Sequence, residues 1–308
     1  MATPYSIQYL NRRQINIAKW DQCISNAANG NIYGYSWYLD AMSKNWDALV
    51  SGDYEMVMPL TWNKKYGFYY LYQPAFTASS GIYGNQLNDE IIKTFIQAIP
   101  AKFKLVEISL NTGNGLPGNE LPDSVNRVNY ILPLQENYDL IRKQYRDNHK
   151  RNIQKAIQYG CTLQKGIAID DIIGLSKDSL QHLLPPMDED YERLKKLYQH
   201  LLPTGKAASY GVYDSKQQLM ASCVFFFSHQ RAYYILVGNN PLSKTIGASH
   251  YLVDSFIQEY AGTNLTLDFE GSDIRSLAFF YNGFGAGIEY YPAMRINRLP
   301  FYLKWLKK

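Results

Sequence analysis

One order of segments occurs twice in this chain, and it limits the folds open to it more than any other feature. In the first half a strand pattern at Gly67–Tyr72 closes a hairpin. A Gly-bearing loop follows, then a helical pattern at Asn88–Ile99 and a strand at Phe103–Leu110. In the second half Arg231–Val237, a loop, Gly247–Tyr260 and Leu265–Phe269 come in the same order, again after a hairpin. Each copy ends in a related phrase, VEISLNTGN against LDFEGSDIR. Apolar residues at helical spacing (Ile91, Ile92, Phe95, Ile96, Ile99) mark the first helix as one-sided. A repeated hairpin, helix and strand predicts two tandem α/β (α+β) units of roughly 150 residues each, within ordinary domain size. The expected division is 1–135 and 136–308, each a mixed, mainly antiparallel sheet flanked by helices.

The rest of the chain agrees with a folded enzyme-sized protein. A chain of 308 residues buries roughly 75% of its unfolded surface, so it needs no staples. The charged fraction of 19% against 46% hydrophobic excludes disorder. A net charge of +4 is too weak to mark a nucleic-acid binder, so any basic function must come from local clustering. The three cysteines, Cys23, Cys161 and Cys223, are far apart and form no CxxC pair, which argues against a disulfide framework or zinc site. Cys223 lies in the apolar run Met220–Phe227 and reads as a core thiol. The longest apolar runs are about eight residues, short of the ~20 that span a bilayer. The opening residues carry no signal-type apolar run, and a cytoplasmic protein is expected. No HExxH, GxSxG or GxxxxGK[ST] occurs, so metalloprotease, serine hydrolase and P-loop chemistry have no support.

Further elements are predicted as a strand at Tyr54–Trp62 turning at Asn63-Lys64-Lys65, a strand at Val128–Leu134, and one long helix over Glu136–Tyr159. Two helices, Asp170–Leu184 and Asp188–Leu202, are expected to break at Pro185-Pro186. Ala207–Tyr213 and Leu219–Ser228 read as strands, and Ile274–Tyr281 as a short helix.

Three segments bear chemistry. In Tyr234–His250 an apolar strand stops at Gly238, a polar loop with Lys244 follows, and Gly247-Ala248-Ser249 open a helix. A helix start offers free N–H groups, and small residues let a phosphate oxygen approach them. The same residues also open helices for structural reasons alone. In Leu267–Ala286, Asp268 and Glu270 alternate on a predicted strand and so share a face. Glu270 is the expected proton acceptor, with Asp268 beside it and Tyr281 as proton donor. Capping, solvation and packing are their bland alternatives. In Arg142–Lys155, six basic residues stand against one acid, Asp147. Arg146, His149, Lys150 and Arg151 are the candidates there for a phosphorylated ligand or an RNA backbone, with a solvated helix face as the other reading.

The phrases NHKRNIQKAIQYG, YYILVG, NNPLSKTIGASHYLVDSF, LDFEGS and FFYNGFGA give the second half a resemblance to the GNAT acyltransferase fold. The tandem arrangement resembles the Fem-type aminoacyltransferases that build peptidoglycan bridges. The GNAT acetyl-CoA signature, (Gln/Arg)xxGx(Gly/Ala), has its nearest counterpart in Lys244–Ser249, with Lys and Ser at the outer positions. The charged coiled-coil insertion of some Fem-type enzymes has no counterpart.

The resemblance implies an N-acyltransferase whose donor, acyl-CoA or aminoacyl-tRNA, lies along Leu236 and Val237 and against Lys244, Gly247, Ala248 and Ser249. It implies direct attack by an amine, of a small molecule or cell-wall precursor, with no tightly bound cofactor and no metal. A non-catalytic binding protein of the same fold, or an RNA-binding module using residues 142–155, are the alternatives.

Overall fold

The computed structural model describes residues 6–115, 124–179, 186–271, 273–300 and 303. The chain forms two compact units, Met1–Val128 with Tyr290–Lys308, and Asn129–Glu289. Its elements run β1 (Ile7–Leu10), α1 (Ile17–Asn26), α2 (Ser36–Met42), β2 (Asn45–Ser51), β3 (Met56–Lys65), β4 (Phe68–Leu71), β5 (Tyr83–Gly84), α3 (Asp89–Gln97) and β6 (Phe103–Ser109). They continue through β7 (Ser124–Pro133), α4 (Tyr138–Lys143), α5 (Asp147–Gln158), β8 (Thr162–Lys165), α6 (Ile169–Ser179), α7 (Asp188–Leu201) and β9 (Ala207–Tyr213). The last elements are β10 (Leu219–Ser228), β11 (Arg231–Asn239), α8 (Ser243–Ile246), α9 (Ala248–Tyr260), β12 (Thr266–Asp268), α10 (Arg275–Asn282) and β13 (Gly287–Asn297).

The first unit orders its strands β1-β2-β3-β4-β6-β13 and the second β8-β9-β10-β11-β12-β7. The pairing senses match position by position. The β3–β4 and β10–β11 hairpins are antiparallel. β4 pairs parallel with β6, and β11 parallel with β12. β13 closes antiparallel on β6, and β7 antiparallel on β12. The repeat seen in the sequence is therefore a repeat of topology. It has one exchange: β7 follows β6 along the chain but pairs with β12, while β13 follows β12 and pairs with β6. The compact units thus differ in membership from the sequence halves 1–135 and 136–308.

Both hairpins use the same two-residue turn with positive φ at each position, Tyr66 (50°) and Gly67 (83°) in the first, His229 (50°) and Gln230 (55°) in the second. Such turns match the twist of the strands they join. Asn63-Lys64-Lys65, expected as the turn, instead belongs to β3, with Lys65 opposite Phe68. The expected helix over Glu136–Tyr159 is two helices. Arg146 is extended at the start of α5 (ψ 149°) and its N–H donates to the Gly283 carbonyl at 2.9 Å, a tertiary bond that interrupts an otherwise continuous apolar period. β2 was not foreseen, because buried Asp47 breaks its apolar run. The Pro185 of the expected helix break and the end of the helix before it lie outside the described residues.

Cores follow the apolar periods. Ile91, Ile92, Phe95 and Ile96 on α3 pack with Leu60, Phe103 and Val106. In the second unit Phe225 stacks on Phe256 at 3.8 Å and meets Tyr210 edge-on. Cys223 is fully buried, as its apolar setting predicts. Among the described residues, no helix is long and apolar enough to cross a membrane.

Candidate active site

In the second unit β11 and β12 run side by side for three residue pairs, Arg231 with Thr266, Ala232 with Leu267 and Tyr233 with Asp268. There they part. β12 stops, and the Phe269 N–H donates to the Tyr130 carbonyl of β7 at 3.0 Å. β11 continues to Asn239. Among the described residues this stretch pairs with β10 and with no strand on the side β12 has left. At the point of parting β11 carries a bulge: Tyr234 faces Phe225 and Leu236 faces Val224, so Ile235 is the extra residue. A bulge leaves one residue outside the regular ladder and re-aims its neighbours. The result is an open wedge with backbone polar groups along one wall.

The wedge's far end is the start of α9. Gly247 occupies the cap position with φ 79°, no side chain caps the helix, and no acid stands in its first turn. The Ser249 hydroxyl donates to Asn239 Oδ1 at 2.7 Å and lies 2.7 Å from the Ser243 hydroxyl. Its side chain therefore ties the helix start to the end of β11. Lys244 is exposed on α8, Leu236 and Ala248 are buried, and Val237 is half-buried. Gly247 has a further reason to be glycine. A Cβ there would lie 2.1 Å from the Asn152 carbonyl oxygen of α5. The space its missing side chain leaves is filled by α5, whereas the sequence reading assigned it to a phosphate oxygen.

At the near end of the wedge stand the predicted carboxylates and phenol. Their strand ends at Asp268, so Glu270 is not its next same-face residue. Glu270 has φ 65° and Gly271 φ 80°, a left-handed turn that strand alternation does not describe. Tyr281 on α10 is buried, stacks on Phe269 with centroids 4.5 Å apart, and leans on Tyr130 at 6.1 Å. Tyr234, the first residue past the parting, meets Phe269 edge-on at 6.1 Å. Burial, and then the nearby Glu270 carboxylate, raise the Tyr281 phenol well above its ordinary range. It is therefore fully protonated at neutral pH. Asp268 is buried and ion-paired to Arg231 at 2.8 Å. The Glu270 charge reaches the Tyr281 phenol, while the Asp268 carboxylate is held by Arg231, Asn129 and the Glu270 N–H.

Helix α5 packs against α9 and α10. Lys150 and Arg151 remain at least partly solvent-accessible. Arg146 is tied down: Nη2 donates to Asn282 Oδ1 at 2.5 Å, and the guanidinium lies 4.4 Å over the Phe279 ring. His149, expected on the basic face, is buried at 1% exposure and donates from Nε2 to the Phe280 carbonyl at 2.8 Å. Gly283 makes room for it, since a Cβ there would sit 2.0 Å from the ring. The amphipathic period that buries Ile153 and Ala156 carries His149 to the same side. His250 meets the His149 ring edge-on at 4.6 Å. Burial and its histidine neighbour push His250 down to about 3, so it is neutral at physiological pH. Sequence reading had left His250 out; its place in the first turn of α9 was the one available signal.

The first unit has the corresponding wedge between β4 and β6, and it is stitched shut. Ser80 bridges Leu110; its N–H donates to the Ser109 carbonyl at 2.8 Å, and the Asn111 N–H donates to the Ser80 carbonyl at 2.6 Å. The Gln73 side chain accepts from the Ser109 N–H at 3.0 Å. Asn114, fully buried, accepts from the Ile82 N–H at 2.7 Å and donates to the Ile82 carbonyl at 2.9 Å. The helix that follows, α3, is capped by Asn88 and begins with Asp89 and Glu90. A cleft of about 200 Å³ in this unit, lined by Arg12, Asp40, Trp46 and Trp62 among others, gathers none of the residues picked from the sequence.

No protein-family model matches the chain, and no curated protein matches its sequence. Solved structures resemble it in fold. FemX covers 97% of this chain and 99% of its own, with 13% identity and a TM-score of 0.66. L-PGS from Bacillus licheniformis covers 94% and 93%, with 12% identity and a TM-score of 0.53. The C-terminal domain of a putative lysylphosphatidylglycerol synthetase from Agrobacterium fabrum covers 94% of each, with 9% identity and a TM-score of 0.54. The chain shares with these proteins the fold class expected from the sequence, a mixed, mainly antiparallel sheet flanked by helices.

Proposed function

We propose that the chain is an N-acyltransferase whose second unit binds an activated acyl donor in the β11–β12 wedge and transfers the acyl group to an amine. The observation that carries this reading is the open wedge itself, with an uncapped helix start at one end and the Glu270–Tyr281 pair at the other. The donor's phosphates would meet the first N–H groups of α9, with Lys150, Arg151 and Lys244 adding positive charge. The donor carbonyl would lie by the bulge at Ile235, where backbone N–H groups can stabilise the developing oxyanion.

In the transfer step the amine nitrogen bonds to the acyl carbon. The nitrogen's proton passes to Glu270, directly or through water. The bond from the acyl carbon to the leaving atom breaks, and Tyr281 donates toward that atom. No covalent enzyme intermediate is required, and positioning alone can be worth ~7–11 kcal/mol. The alkoxide that leaves an ester needs a proton more than the thiolate that leaves a thioester does, and the protonated Tyr281 phenol is a donor that can supply it. This favours an aminoacyl ester of tRNA over acyl-CoA. The resemblance to Fem-type enzymes points to a cell-wall precursor amine as acceptor.

The test is thermal stabilisation and product formation with aminoacyl-tRNA and, separately, with acyl-CoA. Stabilisation by charged tRNA together with transfer to an amine is expected. Stabilisation by neither donor would leave a binding protein of the same fold. Equal binding of charged and uncharged tRNA without transfer would favour the RNA-binding module.

A further inference from the structure

Asp268 looks from the sequence like a second proton acceptor beside Glu270, but its surroundings rule that out. Oδ1 accepts from Asn129 Nδ2 and from the Glu270 N–H, both at 2.9 Å. Oδ2 accepts from Arg231 Nη1 at 2.8 Å. The residue is 4% exposed and already accepts three hydrogen bonds, one of them from a cation, so an incoming amine would find no path to it. Arg231 is in turn held by Glu289, with Nη2 to Oε1 at 2.7 Å and Nη1 to Oε2 at 2.9 Å. Burial opposes the Arg231 charge, and Glu289 and Asp268 more than offset it, so the guanidinium stays ionised. One fixed arginine fork thus grips two carboxylates.

The bond from the Glu270 N–H to the Asp268 carboxylate closes a side-chain turn two residues long. That turn holds Glu270 at φ 65°, a conformation that a residue with a side chain adopts only when its surroundings over-determine it. In this conformation the Glu270 charge acts on the Tyr281 phenol and, after burial, helps to keep it protonated. We propose that Asp268, anchored by Arg231 and Asn129, is a positioning residue that locks Glu270 in its left-handed turn and so aims the Glu270 carboxylate into the wedge. The proposal rests on the transferase reading for the role of Glu270. The lock itself does not depend on that reading.

Two measurements test it. The first needs no substrate: amide hydrogen exchange at Glu270 in the wild type, Asp268→Ala and Asp268→Asn, under conditions where each is folded. Exchange at Glu270 at least tenfold faster in Asp268→Ala is expected. Asp268→Asn, which keeps an acceptor oxygen, should fall between it and the wild type. Unchanged exchange in Asp268→Ala would overturn the proposal whether or not the protein is a transferase. If Asp268→Ala fails to fold, the Asp268→Asn sample decides alone by the same criterion.

The second is a double-substitution cycle on kcat with aminoacyl-tRNA as donor. Asp268→Asn should lower kcat at least tenfold in the wild type, leave KM for the donor unchanged, and add nothing on a Glu270→Gln background. Losses that multiply would show Asp268 acting independently of Glu270 and overturn the proposal. A wild type that transfers nothing would sink the transferase reading, and the exchange experiment would still decide the lock.

Discussion

The two wedges have one topology and opposite fillings. Between β4 and β6 the chain puts itself into the gap, through Ser80, Gln73 and the buried Asn114. Between β11 and β12 the described residues leave the strand edge past Tyr233 open. The helices that follow show the same contrast. α3 starts with a side-chain cap and two acids, which satisfy its N–H groups and its dipole from within. α9 starts with glycine, no cap and no acid. A helix that satisfies its own terminus has nothing left for a ligand's phosphate. On the proposed reading, the closed copy serves as scaffold and the open copy takes the donor.

The contrast breaks first at Glu270. Glu270→Gln should lower turnover by about 10²–10⁴-fold with little change in melting temperature, and Tyr281→Phe should act in the same direction. If melting falls while the folded fraction turns over normally, both residues are structural. The reverse holds in the first unit. Asn114→Ala leaves the Ile82 N–H unpaired in the core, at about 1–3 kcal/mol, while the Ile82 carbonyl keeps its bonds from Asn29 and Asn111. Its melting temperature should drop markedly while turnover per folded molecule stays the same.

Acid should separate the units next. All five histidines lie in Asn129–Glu289. His250, pushed down to about 3 in the folded state, has an unfolded value near 6.5. Its contribution to stability is therefore full above about pH 6.5 and is lost as pH falls toward 3, by up to about 1.4 kcal/mol per pH unit. Denaturant titrations of His250→Phe should show a flatter decline over that window than the wild type. Parallel declines would show that acid acts elsewhere.

The smallest effect carries two opposite signs. Ser249→Asp gives α9 the acidic start that α3 has. Its charge should favour the helix by about 0.3–1 kcal/mol, set against the lost Ser249–Asn239 bond, while donor affinity falls. Tighter donor binding would show that no anion meets this helix end.

The repeat was legible because it lives in local pattern: apolar periods on α3 and α9 and strand runs on each side. The wedge's position was legible for the same reason, as the place where a strand stops at Gly238 and a small-residue helix start follows. Features decided by distant residues were not. Nothing near Tyr145 marks the break between α4 and α5, because the bond that makes it comes from Gly283. The Arg231, Asp268 and Glu289 network joins residues 37 and 58 positions apart. Glu270 read as strand because its left-handed turn is imposed by a carboxylate acceptor, and no glycine or proline announces it at that position. The return of β13 to β6 has no local signal at all.

Hydrogen exchange of the whole chain with and without a bound donor compares the two wedges directly. Slowed exchange is expected at Tyr234–Asn239 and at Ala248–His250 on adding aminoacyl-tRNA or acyl-CoA, with Leu71–Gly84 and the start of α3 unchanged. Protection confined to the first unit, or none in Tyr234–Asn239 despite saturating donor, would contradict the assignment of the donor site to the second wedge.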